Sequence, residues 1–181
     1  MANLWKPLRR ALLPMAVLGF AACQGEQFPI GPEEAAPSFV EVNGVKLVTI
    51  QPGRNLVPAD GESVARVQKN QGATLTSGDA TLTVLPGSMK STATIWMQPD
   101  DASGYVQFIF GPSGTTFSPA ATLTISAVKA NIDPSLIPLL KIAGASDSAD
   151  DWVIVGGVYD PATNTVVAPI SHFSRYALCV E

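Results

Sequence analysis

An all-β fold, an antiparallel β-sandwich, is predicted by three features of the sequence. Short runs alternate apolar with polar residues, as in Thr81-Leu82-Thr83-Val84, Thr92-Ala93-Thr94-Ile95-Trp96 and Thr122-Leu123-Thr124-Ile125. Period two is the repeat of a strand with one buried face. Glycine and proline, 15 of each, separate such runs, as turns do in sandwiches and barrels. The 181 residues are 46% hydrophobic and only 14% charged. A domain of roughly 100 to 150 residues can bury about two thirds of its unfolded surface, so one core accounts for the chain.

Residues 1–22 read as a lipoprotein-type signal peptide. Lys6, Arg9 and Arg10 precede a ten-residue apolar stretch from Ala11 to Phe20, and no acid comes before Glu26. A bilayer core of about 30 Å needs about 20 apolar residues, so this stretch is too short to span one, and Pro14 weakens it as a helix. Phe20-Ala21-Ala22-Cys23 resembles a bacterial lipobox, with Phe20 where leucine is usual. The resemblance implies cleavage before Cys23, a lipid on its sulfur as the lipid attachment site, and, with Gln24 next, export through the periplasm to the outer membrane in bacteria that have one. The alternative is ordinary cleavage after Gly19-Phe20-Ala21, leaving Cys23 able to pair with Cys179. With Cys23 lipidated, Cys179 is the only thiol and reads as a small buried hydrophobe. Removing residues 1–22 leaves 8 basic and 15 acidic residues, a formal charge of −7. Nucleic acid, which calls for a basic stripe with stacking aromatics, is excluded as a partner.

Residues 23–37 form a tether. Gln24 to Pro37 holds three prolines, two glycines and three glutamates without apolar periodicity, and as a coil it keeps the domain on the order of 20 Å from the membrane. Residues 38–60 predict a β-hairpin and a loop packed on the main domain. Asn43-Gly44 suits a type I′ turn, whose two central residues need positive φ. That turn pairs Val42 with Val45 and Val40 with Leu47, and sets Glu41 opposite Lys46.

Residues 61–181 form the main sandwich. Ile132 to Gly144 predicts a brief turn broken by Pro138 and a strand from Leu139 to Ala143. Strands follow around Trp152–Val155, Thr165–Ile170 and Ser174–Val180. Four markers occur in order: Gly72-Ala73-Thr74-Leu75; Leu82-Thr83-Val84-Leu85-Pro86-Gly87-Ser88; Phe110 through Pro119; and His172-Phe173-Ser174-Arg175-Tyr176. Together they resemble the ZU-five domain, the family of zonula occludens, Unc-five and ankyrin proteins, over roughly Gly72 to Leu178. Ala73, Leu85 and Ser88 depart from its usual residues. The resemblance implies an antiparallel β-sandwich used as an interaction or regulatory module; fold kinship does not carry a partner across.

In some relatives of that family a similar His-Phe-Ser segment self-cleaves before the serine. Carried to these residues, Ser174 Oγ attacks the Phe173 carbonyl, His172 assists proton transfer and water hydrolyses the ester. The competing reading has Phe173 filling the core. His172 is the only histidine, so a multi-histidine metal site is excluded. Asp147, Asp150 and Asp151 offer a D-x-x-D-D loop to Ca²⁺ without EF-hand spacing, against a solvated turn. Trp96, Trp152 and Tyr159 offer stacking faces to a carbohydrate, against core positions. Gly111 to Thr116 lacks the lysine of a phosphate loop and reads as a strand connector.

The expectation is an exported, lipid-anchored structural or protein-interaction module at the bacterial cell envelope. It has no catalytic turnover, no cofactor and no metal, is bound to the membrane through Cys23, and has a protein partner. The alternatives are a single-turnover autoproteolytic domain cut between Phe173 and Ser174, and a carbohydrate or calcium binding module.

Overall fold

Period-two alternation in runs such as Ala80–Val84 and Thr116–Ser126 buries one face of the strand. In chain order the strands are β1 Phe39–Val42, β2 Val45–Val48, β3 Ser63–Val67, β4 Ala73–Ser77, β5 Ala80–Val84, β6 Ala93–Pro99 and β7 Gln107–Gly111. There follow β8 Thr116–Ser126, β9 Leu140–Ala145, β10 Val153–Gly156, β11 Val158–Asp160, β12 Thr165–His172 and β13 Arg175–Val180. The computed structural model describes residues 36–56 and 61–181; the expected signal peptide, Cys23 and the tether up to residue 35 lie outside them.

Two antiparallel sheets face each other, so the chain is an all-β sandwich. One sheet has the order β11-β12-β8-β5-β4; the other runs β1-β2-β13-β7-β6-β3, with β9 also on β13 and β10 on β9. Leu82 pairs with Leu123, and Leu123 with Ala168, so three strands set a row of apolar side chains into the core. The intervening threonines face outward: Thr81 pairs with Thr124 and Thr83 with Thr122, a β-branched surface that suits the pleat while staying solvated. Across the core lie Ile95, Met97, Phe108, Phe110, Ile142 and Leu178, all buried.

The hairpin has its expected register, Val42 with Val45, Val40 with Leu47 and Glu41 with Lys46, and Asn43 and Gly44 both take positive φ. It is more than an appendage. Leu47 pairs with Cys179 and Lys46 with Val180, which makes β2 a strand of the larger sheet. Val48 enters the main core while Val45 and Leu47 join a second cluster with Ala143, Ala177, Cys179 and Trp152.

The last tether residues are fixed, since Asn131 Nδ2 donates to the carbonyls of Ala36 and Pro37 at 3.1 Å each. In the loop after β2, Leu56 is fully buried and its N–H donates to Asp101 Oδ1 at 2.7 Å. A 3-10 turn, Ile137–Leu139, precedes β9, so that strand starts one residue later than expected and runs to Ala145.

Replacing Leu82 by alanine removes buried volume from the core row and should cost about 2–5 kcal/mol in urea unfolding. Val64→Ala, at a residue 57% exposed, should stay within about 0.5 kcal/mol.

Candidate functional site

The His172-Phe173-Ser174 segment is the crossover that carries the chain from one sheet to the other. It is not the interior of a strand: β12 ends at His172 and β13 begins at Arg175. The ladder between β12 and β8 slips between Ile170 and His172, an irregularity of the kind that re-aims side chains. Phe173 turns inward between two aromatic rings, 5.7 Å from Phe110 and 4.9 Å from Phe117, edge-on to the latter. Its N–H donates to the Thr115 carbonyl at 2.9 Å.

Anchoring Phe173 puts its neighbours in different environments. His172 is exposed, and its Nδ1 lies 3.1 Å from the Phe173 carbonyl oxygen. Ser174 is buried, and its hydroxyl donates to the Ala145 carbonyl on β9. The histidine thus meets the carbonyl of the bond in question while the serine proton goes to a backbone acceptor. Tyr176 closes the turn, donating from its hydroxyl to the His172 carbonyl at 2.7 Å. Burial pushes its phenol up to about 12, so it remains a neutral donor at neutral pH.

Beside this crossover opens a cleft of about 480 Å³. Its walls come from Gly144 to Asp147, Val153 to Val155, Ser113, and the crossover itself. Arg175 orders the loop at one end. Its Nε donates to the Ser146 carbonyl at 2.9 Å, an Nη2 donates to the Ala149 carbonyl, and the guanidinium lies 5.2 Å from the Trp152 ring. The same Nη2 is 3.4 Å from Asp150 Oδ1. Asp151 accepts from the Ser146 hydroxyl and N–H, both at 2.8 Å. Those two bonds hold its carboxyl below the ordinary aspartate range.

The other candidate residues are dispersed or engaged. Asp150 and Asp151 serve the loop contacts just given, and among the described residues no three histidine, cysteine or acidic side chains converge on a metal position. Trp152 is buried in the second cluster. Trp96 lies over Gly111, where an added Cβ would come within 2.2 Å of its ring. Tyr159, on the other sheet, donates to Asn164 Oδ1 at 2.9 Å. The three form no common stacking platform, since Trp152 is buried and Tyr159 belongs to the other sheet. Gly111 to Thr116 joins β7 to β8 and supplies Ser113 to the cleft.

Cys179 has no exposed surface. Burial first, and then the nearby Glu181 carboxylate, push its thiol up to about 12.

Sequence reasoning passed over Arg175 as a loop organiser and read Trp152–Val155 as an ordinary strand. The structure leaves Val153, Ile154 and Val155 exposed by 66%, 38% and 44%. No protein-family model and no curated protein sequence matches the chain.

Two outcomes are expected. In a Cys23→Ser protein, Cys179 should resist a maleimide reagent in the native state and react fully in concentrated guanidinium, read by mass. For Asp151, a lowered folded pKa means that the carboxylate's stabilisation is complete above the ordinary value of 3.8 and is lost as pH falls through the lower folded value. The Tm gap between wild type and Asp151→Asn should therefore be constant above about pH 5 and shrink on acidification below it.

Proposed function

We propose that this chain is an exported, lipid-anchored β-sandwich of ZU-five type that serves as a protein-interaction or structural module at the bacterial cell envelope, without catalytic turnover. The observation that carries the interaction reading is the edge strand β10. Among the described residues it is hydrogen-bonded to β9 alone, and three successive aliphatic residues on it are exposed. Exposed sheet edges are ordinarily blunted by lysine, proline or a covering segment, because unpaired N–H and C=O groups with apolar side chains recruit another chain. β10 carries no charge and no proline.

The membrane half of the proposal rests on the basic and apolar layout of residues 1–22 and on Cys23. The burial of Cys179 supports it, because a Cys23–Cys179 disulfide would require the sulfur of a fully buried strand residue to leave the second cluster. When the full precursor is expressed in a bacterium with two membranes, the wild type should partition into the detergent phase with the outer-membrane fraction. Cys23→Ser should appear in the aqueous phase. A wild type found in the aqueous phase overturns lipid anchoring.

A second reading, self-cleavage between Phe173 and Ser174, is favoured by one distance: His172 Nδ1 lies 3.1 Å from the Phe173 carbonyl oxygen, where an N–H would polarise that carbonyl. Ser174 Oγ would have to leave Ala145, add to the carbonyl carbon and expel the Ser174 nitrogen with a proton. Water would then hydrolyse the ester to a Phe173 carboxylate and a free Ser174 hydroxyl. The cut strand would stay held by β9, β7 and β2, so the test needs denaturing conditions. Intact mass of a soluble protein beginning at Gln24 should equal the uncut chain, as should that of Ser174→Ala. A loss of about 0.9 kDa, the mass of Ser174–Glu181, in the former alone would establish self-processing.

A further inference from the structure

We propose that the free edge of β10, with the cleft beside it, receives an extended segment of a protein partner as an added antiparallel strand, aliphatic along β10 and basic at its C-terminal end. This deepens the interaction reading above and rests on it. β10 and β11 are consecutive edge strands of the two sheets, joined by Gly156-Gly157, both at positive φ. One lateral rim of the sandwich is therefore a single short segment, and it continues apolar into Val158, 72% exposed. The cleft opens along the same segment, lined by Val153 and Val155 on one side and by His172 and Tyr176 on the other. Gly144 forms part of the lining, where a Cβ would stand 2.9 Å from the Tyr176 ring and 3.3 Å from Val155. Strand addition supplies backbone hydrogen bonds, and a concavity beside the edge supplies a pocket for alternate side chains.

Charge decides the occupant and its direction. The N-terminal end of β10 meets Asp147, Asp150 and Asp151, with Arg175 as the cation paired there. The C-terminal end, Gly156, Gly157 and Val158, has no acidic side chain of its own and meets a cation, Lys141, whose ammonium donates to the Gly157 carbonyl at 3.1 Å. An antiparallel guest runs its C-terminus toward the aspartates, so lysine or arginine after an aliphatic stretch is complementary and the reverse order is not. A second copy fits less well, because it brings the same acidic surplus and its own β10 carries no lysine or arginine to set against the aspartates.

The probe is an acetylated, amidated peptide of alternating threonine and valine ending in two lysines, fluorescently labelled and read by anisotropy against the mature Cys23→Ser protein. Two controls carry the lysines at the N-terminal end or carry glutamates instead. The first peptide should bind at least tenfold more tightly than either control and weaken as salt is raised. Val153→Lys should abolish this binding while Val128→Lys, the same change at an exposed valine elsewhere, should leave it intact, with both Tm values unchanged. Absence of binding, equal binding of all three peptides, or indifference to Val153→Lys overturns the proposal, as does a dimer in sedimentation velocity that Val153→Lys dissolves. Photocrosslinkers at positions 153 and 128 in cells separate the two readings. Protein adducts at 128 alone leave the interaction module standing and remove this edge; adducts at neither position remove both.

Discussion

The hydrogen-bond ladder of β13 holds the larger sheet together. All six of its residues pair with β9 along one edge, while along the other Arg175 to Ala177 pair with β7 and Cys179 and Val180 with β2. Its side chains alternate between two clusters: Tyr176, Leu178 and Val180 fill the main core, and Ala177 and Cys179 fill the second. A strand buried on both faces and bonded on both edges has no polar backbone left for water, so its ordering and that of its neighbours are one event. The hairpin of β1 and β2, which contributes its own local turn, joins the sheet's ladders through this strand, with the Val106 N–H on the Val48 carbonyl as a second tie.

The same constraint shapes the crossover before β13. Phe173 is the inward plug between Phe110 and Phe117, and fixing it sends His172 to solvent and Ser174 to the Ala145 carbonyl. The histidine-to-carbonyl and serine-to-carbonyl contacts are both explained by joining two sheets with a three-residue step that must also fill the core. Tyr176, a buried phenol, ties the step back through the His172 carbonyl. These contacts favour a packed closing segment, and any chemistry at the Phe173–Ser174 bond begins by breaking one of them.

At the opposite extreme stands β10. It is bonded on one edge and bulged against β9, and it exposes consecutive aliphatic side chains. Arg175 and Trp152 secure only its leading end. Local stability in a sheet falls toward strands with few partners, so β10, paired among the described residues with β9 alone, is held less firmly than β13.

How much was legible in the sequence follows from the range of the interactions. Alternation in β5, β6 and β8 determined the all-β class and which residues face inward, because period two is a property of each strand alone. Asn43-Gly44 determined the hairpin register for the same reason: positive φ at both positions is a local demand. Only the tertiary structure decided which apolar run is covered. Val153-Ile154-Val155 and Ala177-Leu178-Cys179 are alike as strings, yet the first lies on a rim and the second between β9 and the β7 and β2 strands. Likewise the strands read around Thr165–Ile170 and Ser174–Val180 were local patterns, and only the tertiary structure placed them in different sheets with His172-Phe173-Ser174 as the step between. Burial and side-chain environment are set by neighbours distant in sequence, such as Leu47 beside Cys179, and no local pattern encodes those pairings.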